Sequence, residues 1–271
     1  MIFGNVGSKL ILLPQTVLLL FILWLTGCTN QPPHDNEITL FAASSLTDAF
    51  TEIASHYERE HPDVTVRLNF GGSSQLATQL MEGAPAELFA SANETEMEKL
   101  VEDGLIATHT VQILATNQLV LIMPADNPAG ITSLADLAQA GIKFVTASKQ
   151  VPIGQYTRQS LAKMEASGDF AQGFEQAVLA NIVSEEANVR QLVTKVELGE
   201  ADAAIVYQSD VHLNRQNLQT MALPDRYNIA ARYPIAPLQN TRHPDGAASL
   251  MAFIQSANGQ SILKKWGFSS P

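Results

Sequence analysis

The sequence predicts an α/β fold, and three observations carry that expectation. From Ile38 onward, short apolar runs alternate with amphipathic helical segments, the pattern of a parallel or mixed sheet flanked by helices. Apolar residues make up 46% of the 271 and charged residues 16%, a composition that supports a folded globular protein with a sizeable core. The single cysteine can close no intrachain disulfide and cannot supply a multi-thiolate zinc or iron–sulfur site, so the fold must stand on packing.

The chain opens with an apolar stretch from Leu10 to Leu25 behind Lys9, which runs into Leu25-Thr26-Gly27-Cys28 and the polar, proline-bearing Thr29-Asn30-Gln31-Pro32-Pro33. This resembles a bacterial lipoprotein signal with its lipobox. The resemblance implies a leader over residues 1–27, diacylglycerol on Cys28, and a tether over residues 28–36 that holds an exported domain to a membrane. A spanning anchor fits less well, because Pro14 and Gln15 interrupt a run already marginal for about 20 spanning residues.

Strand-like runs follow at Ile38 to Ala42, Val64 to Phe70, Glu87 to Ala90, Leu119 to Met123, Lys143 to Ala147 and Ala203 to Tyr207. Between the first two, Leu46, Ala49, Phe50, Ile53, Ala54 and Tyr57 recur at helical spacing. That helix starts at Ser45, with Asp48 placed as in a capping box, and ends at His61-Pro62. A second helix follows Ser73-Ser74 through Leu76, Leu80 and Met81 and stops at Gly83. A third carries Val189, Leu192, Val193 and Val196 and stops at Gly199. No repeat or low-complexity tract appears, and no linker splits the chain in half. Two domains would therefore be joined by more than one short crossover, near Ala115 to Gln118 and Leu218 to Arg226. The first domain would then be discontinuous, residues 37–116 with 223–271, around a second at 117–222.

Charge removes one class of function. Acidic residues outnumber basic ones by 27 to 16, a formal charge of -11, or -12 once Lys9 leaves with the leader; a broad cationic surface for nucleic acid is not expected. Catalytic patterns are equally scarce. HExxH, GxxxxGK[ST] and GxSxG are absent. Ser160-Leu161-Ala162-Lys163 matches SxxK, but neither SDN nor KTG accompanies it, and the match reads as chance on a surface helix. His34, His56, His61, His109, His212 and His243 lack ligand spacing and read as solvated. Glu185 and Glu186 read as carboxylates that favour the positive end of the helix after them. No enzyme is expected.

Four strand-to-helix junctions stand out instead, where free backbone N–H groups and the helix dipole converge on anions. They are Ala42 to Asp48, Phe70 to Ser74, Val151 to Tyr156 and Glu186 to Arg190. Each alone could be ordinary N-capping. Two fall in each putative domain, so a cleft between domains could unite them.

Together, FAASSLTDAF, NFGGSSQLATQL, GAPAELFASAN, VPIGQY, ANVRQLV and AAIVYQSD resemble the molybdate-binding proteins of ABC transporters, a group within the type II periplasmic binding proteins. The similarity runs from Ile38 to Trp266-Gly267-Phe268. It implies two lobes, each a mixed sheet flanked by helices, with a tetrahedral oxyanion, molybdate or tungstate, held between them by neutral donors and without a metal ligand from the protein. Position by position, it implies donation from the hydroxyl and N–H of Ser45 and Ser73, from the N–H of Ile153 and of Val189, and from the phenol of Tyr207, with Ser44 and Ser74 in support. It further implies no cofactor, a monomer, and a partner permease driven by an ATPase. The sequence departs from the commonest pattern at Ile153, bulkier than the usual alanine, at Asn188, where Asp is frequent, and at Glu87, where Asp is usual.

A neutral site suits a dianion. Each helix start offers about +0.5 charge, so four supply about +2, and donors without acceptors match a fully deprotonated tetrahedron better than protonated phosphate. Sulfate carries the same charge and would be separated by size. Arg158 and Arg190 could form an arginine fork for phosphate, but both read as reaching away toward the surface.

Overall fold

The computed structural model describes residues 1, 2, 4, 36–211 and 216–271. Cys28, the tether up to residue 35, most of the apolar leader, His34 and His212 lie outside the described residues. Residues Asn36–Pro271 form a unit of their own.

Strand β1 (Glu37–Ala43) leads through a 3-10 turn at Ser44–Leu46 into helix α1 (Thr47–Glu60). Ala49, Phe50, Ile53, Ala54 and Tyr57 form the buried face of α1, as the spacing predicts, and each large side chain so covered stabilises the fold by about 1.5–3 kcal/mol. The helix closes at His61, whose N–H reaches Tyr57 O at 2.9 Å, and Pro62 cannot continue it. Next come β2 (Thr65–Gly71), α2 (Ser73–Met81), β3 (Leu88–Ala90), α3 (Glu94–Glu102) and β4 (Gln112–Asn117). β2 and β3 lie parallel on either side of β1, in the registers Ala43↔Gly71 and Ala42↔Ala90. β10 (Ala231–Pro237) completes the sheet antiparallel between β3 and β4, giving the order β2-β1-β3-β10-β4. Alternation in β1 sends Leu40 and Ala42 to the core under α1, while Phe41 joins Leu76, Leu80, Phe89, Met97 and Leu100 under α2 and α3.

The chain crosses once at Gln118 and builds β5 (Leu119–Pro124), β6 (Phe144–Ala147), α4 (Pro152–Ser167), α5 (Phe174–Ala180), β7 (Ile182–Glu186), α6 (Val189–Glu197), β8 (Ala204–Tyr207) and β9 (Leu218–Ala222). β5 pairs antiparallel with β8 and β9. β6 and β7 are parallel, and a bridge from Phe144 to Ala203 joins them to β8. Residues 223–230 cross back to β10. Asn228 ties the two crossings together: its Oδ1 accepts Leu119 N at 2.9 Å and its Nδ2 donates to Leu119 O at 2.9 Å and Leu223 O at 3.2 Å. α7 (Pro244–Gln255) and α8 (Ala257–Lys265) then return to the first sheet, where Lys265 and Trp266 hold Glu52 of α1 at 2.7 and 2.8 Å.

Several elements differ from the sequence expectation. β4, β7 and β10 are strands not foreseen, and Leu218–Ala222 is the half-exposed strand β9 rather than part of a crossover. β10 carries Pro234 and Pro237, which argue against a central strand. It accommodates Pro234 with a shift of register between Tyr233 and Pro234. The capping box expected at Ser45 and Asp48 does not form. α1 begins after Leu46 with no side-chain cap, because the intervening 3-10 turn places Ser45 one turn too early.

Candidate functional site

Parallel strands end on the same edge of a sheet, and the helices that follow them begin there. In the first sheet this edge carries Ser44 and Ser45 after β1, Gly72 and Ser73 after β2, and Ala92 after β3. In the second it carries Val151, Pro152 and Ile153 after β6, Asn188 and Val189 after β7, and Tyr207 at the end of β8. With Ala43 and Gly71, these residues line one cavity of about 200 Å³, counted out to the solvent at its mouth. No charged side chain among the described residues lines the cavity.

All four foreseen junctions therefore meet, and so do Ser45, Ser73, Ile153, Val189, Tyr207 and Ser44. Ser74 does not line the cavity; it is half-buried, and its carbonyl accepts the Thr78 hydroxyl at 3.0 Å. Ser73 opens α2, with Gly72 as its extended N-cap, and Ser73 Oγ accepts the Ala92 N–H at 3.0 Å. Pro152 is the first residue of α4, where a missing N–H is harmless, so the N–H of Ile153 is the helix's first amide. The bulk of Ile153, 1% exposed, is housed in the core. Asn188 caps α6 by accepting Gln191 N at 3.2 Å, the role an Asp would fill. Glu87 likewise accepts Thr39 N at 2.7 Å, away from the cavity. The N–H groups of the first turns have no intrahelical acceptor.

Tyr207 Oη is buried and, among the described residues, makes no hydrogen bond of ordinary geometry, although the Tyr233 phenol stands beside it. Burial first, and then the neighbouring Tyr233 phenol, hold its pKa well above the ordinary tyrosine value. Burial, then the charge of Glu94, pushes Tyr156 up to about 12. Both phenols are therefore neutral donors. Gly72 falls within a foreseen junction but without a role of its own there, whereas sequence reasoning missed Ala92 as a lining residue and missed Tyr233, whose Oη lies 2.9 Å from Ser45 Oγ. Ala92 follows a foreseen strand and could have been found by that signal; nothing in the sequence points to Tyr233.

The two lobes touch around the cavity. Asn93 Nδ2 donates to Gln155 Oε1 at 3.2 Å, and Tyr156 Oη to Ala92 O at 3.3 Å. Neither arginine reads as the sequence suggested, since both are largely buried in ion pairs, yet neither lines the cavity. Arg190 pairs with Asp48 at 2.6 Å and with Asp210 at 3.0 Å. Burial pulls its pKa down, but these two carboxylates outweigh it and leave the guanidinium above its ordinary value. Arg158 pairs with Glu185 and donates to Ala147 O and Gly154 O at 3.1 and 3.0 Å. Glu185 and Glu186 end β7, and Glu186 pairs with Lys195 at 2.6 Å. Ser160 is fully buried rather than on a surface, donating to Tyr227 O at 2.8 Å, while Lys163 donates to Asn228 O at 2.9 Å; the SxxK match is a structural staple to the second crossing. Among the described residues, no three His, Cys, Asp or Glu side chains are grouped to hold a metal ion.

A family model for bacterial extracellular solute-binding proteins matches residues 38–269. The molybdate-binding protein ModA of Mycobacterium tuberculosis is 37% identical over 234 residues, which cover 86% of this chain and 85% of that one. The putative ABC transporter substrate-binding lipoprotein YvgL of Bacillus subtilis is 32% identical over 254 residues, 92% of this chain and 94% of that one. The solved periplasmic molybdate-binding protein of Azotobacter vinelandii shares the fold, with a TM-score of 0.74 at 20% identity over 86% of this chain and 99% of its own. The names of these relatives describe solute-binding proteins. With the two-lobed α/β architecture of type II periplasmic binding proteins and a family match across nearly all of its described lobes, the chain belongs to the bacterial extracellular solute-binding proteins.

Proposed function

We propose that this protein is the exported solute-binding component of an ABC importer, and that it captures molybdate, and tungstate with it, for delivery to a membrane permease and its ATPase. One observation carries the reading: three α-helix starts, the 3-10 turn at Ser44–Leu46 and a neutral phenol converge from both lobes on a small cavity that no charged side chain among the described residues lines. A dianion leaves water at great cost unless hydrogen bonds replace its shell. Here the donors are Ser45 and Ser73 from one lobe and the Ile153 N–H, the Val189 N–H and Tyr207 from the other. Only the closed arrangement offers all of them together, so the ligand favours closure by its differential affinity for that state. The names of the relatives support the choice of oxyanion. A monomer without a cofactor suffices for capture and delivery. Lipid on Cys28 would keep the protein at a membrane surface, which the lipoprotein name of the Bacillus relative supports.

Titration of ligand-stripped protein with molybdate, tungstate and sulfate in parallel tests the reading. Tight one-to-one binding of the two metal oxyanions, with sulfate far weaker, is expected. Sulfate outcompeting molybdate would instead make this a sulfate-binding member of the family, and stoichiometric labelling by a serine-reactive phosphonate would point to a hydrolase.

A further inference from the structure

The donors of the cavity have a direction built into them, and it is set from behind the lining. Asn117, 1% exposed, ends β4 at the first crossing. Its Oδ1 accepts the Gln118 N–H at 3.0 Å, which decides the orientation of the amide. Nδ2 therefore donates, to Ser209 Oγ at 2.8 Å and, over a longer 3.5 Å, to Tyr233 Oη. Tyr233 Oη lies 2.9 Å from Ser45 Oγ, a pair in which geometry alone permits either hydroxyl to donate; the Asn117 proton on the phenol's lone pair favours the phenol as the donor. Ser45 Oγ then accepts from the protein, and its own proton is left for the cavity that it lines. Ser73 reaches the same state by another route, since its Oγ accepts the Ala92 N–H. A serine hydroxyl without such a donor behind it can turn to accept as readily as to donate.

We propose that Tyr233, oriented by Asn117, is a positioning residue that commits Ser45 to donation, so that at this position the cavity presents a proton and no lone pair and disfavours oxyanions that retain a proton, such as inorganic phosphate at neutral pH. This rests on the oxyanion reading above. Discrimination of this kind follows from the cost of pressing a ligand O–H against a fixed donor. Replacing Tyr233 with Phe keeps a ring at the edge contacts with Tyr207 and Phe268, at 5.7 and 5.3 Å between centroids, and removes the hydroxyl that links Asn117 to Ser45.

The test is calorimetry with sodium molybdate, and competition against it by inorganic phosphate, on the wild type, Tyr233→Phe, Ser45→Ala and the double variant. Tyr233→Phe is expected to narrow the preference for molybdate over phosphate by about tenfold, and to have no such effect in the Ser45→Ala background, because it acts through that hydroxyl. Equal weakening of both anions, or the same narrowing with Ser45 already removed, overturns the proposal. Should Tyr233→Phe fail to fold, Asn117→Ala is expected to narrow the preference in the same direction by a smaller factor, and an unmoved preference overturns it. A wild type that binds neither molybdate nor tungstate defeats the oxyanion reading itself, whereas a wild type that binds molybdate with a preference indifferent to residue 233 defeats this inference alone.

Discussion

Arg190 holds Asp48 at 2.6 Å across the cleft, joining the second residue of α6 in one lobe to the first turn of α1 in the other. The same guanidinium faces the fully buried Asp210 at 3.0 Å. Because its partners lie on opposite lobes, the Asp48–Arg190 pair belongs to the closed arrangement, while the Arg190–Asp210 pair lies within one lobe. Asp48 is more than a third exposed, so its pair contributes about 1 kcal/mol or less. Asp48→Asn is therefore expected to raise the molybdate Kd about threefold, with the ligand-free melting temperature unchanged, and to expand the liganded protein in small-angle scattering. Arg190→Leu is expected to cost about 3 kcal/mol of folding stability in denaturant titration, since it removes the cation beside a buried carboxylate. Equal effects of the two substitutions would show that the interlobe pair has no separate role.

Gly72 fixes how closely the lobes approach. Its φ of -65° and ψ of 133° suit any residue, yet a Cβ there would stand 2.2 Å from Ala187 O on the other lobe. Steric exclusion, not backbone freedom, demands glycine. Gly72→Ala is expected to leave ligand-free stability within about 0.5 kcal/mol of wild type while abolishing the thermal shift on adding molybdate. A retained shift would mean that the lobes need not close this far.

The five proposed donors should not be equal. Ser45→Ala or Ser73→Ala removes a directed hydroxyl from a buried anion and is expected to weaken molybdate binding by about 1–3 kcal/mol in calorimetry. Ile153→Ala keeps the backbone N–H and should matter less to binding. Tyr207→Phe should fall between, because it removes a donor while keeping the ring packing. Unchanged affinity in Ser45→Ala, Ser73→Ala and Tyr207→Phe would remove those three side chains from the site.

Much of this arrangement was legible in the sequence, because the junction residues are local signals. Ser45, Ser73, Pro152-Ile153 and Asn188-Val189 each sit where a strand hands over to a helix, and parallel pairing then brings such junctions to one edge. What could not be read was contact between distant segments. Tyr233 lies behind Ser45 from 188 positions away in a strand whose prolines disguise it. Arg190 reaches Asp48 across 142 positions, and a helix-surface argument cannot foresee a carboxylate arriving from the other lobe. Ser45 and Asp48 failed as a capping box because the spacing was right but a 3-10 turn intervened, a distinction of one backbone turn that side-chain pattern does not encode.

Alkaline pH should act on the buried phenols and spare the site until late. Tyrosine in the unfolded chain ionises near pH 10, whereas burial holds Tyr207 and Tyr233 well above that value and Tyr156 at about 12. Below pH 10 these phenols are protonated in both states, and their contribution to stability is fully present. As pH rises through 10 the unfolded chain sheds protons that the folded chain retains, so unfolding becomes easier with each further step. The melting temperature is expected to hold steady on this account up to about pH 9.5 and to fall steeply above 10, with phenolate absorbance from the buried rings appearing only as the protein unfolds. Molybdate affinity should likewise be flat from neutral pH to about 9.5, since Tyr207 keeps its donating proton throughout. A loss of affinity between pH 7 and 9 that disappears in Tyr207→Phe would show that this phenol ionises in the native state, and would end its role as a neutral donor.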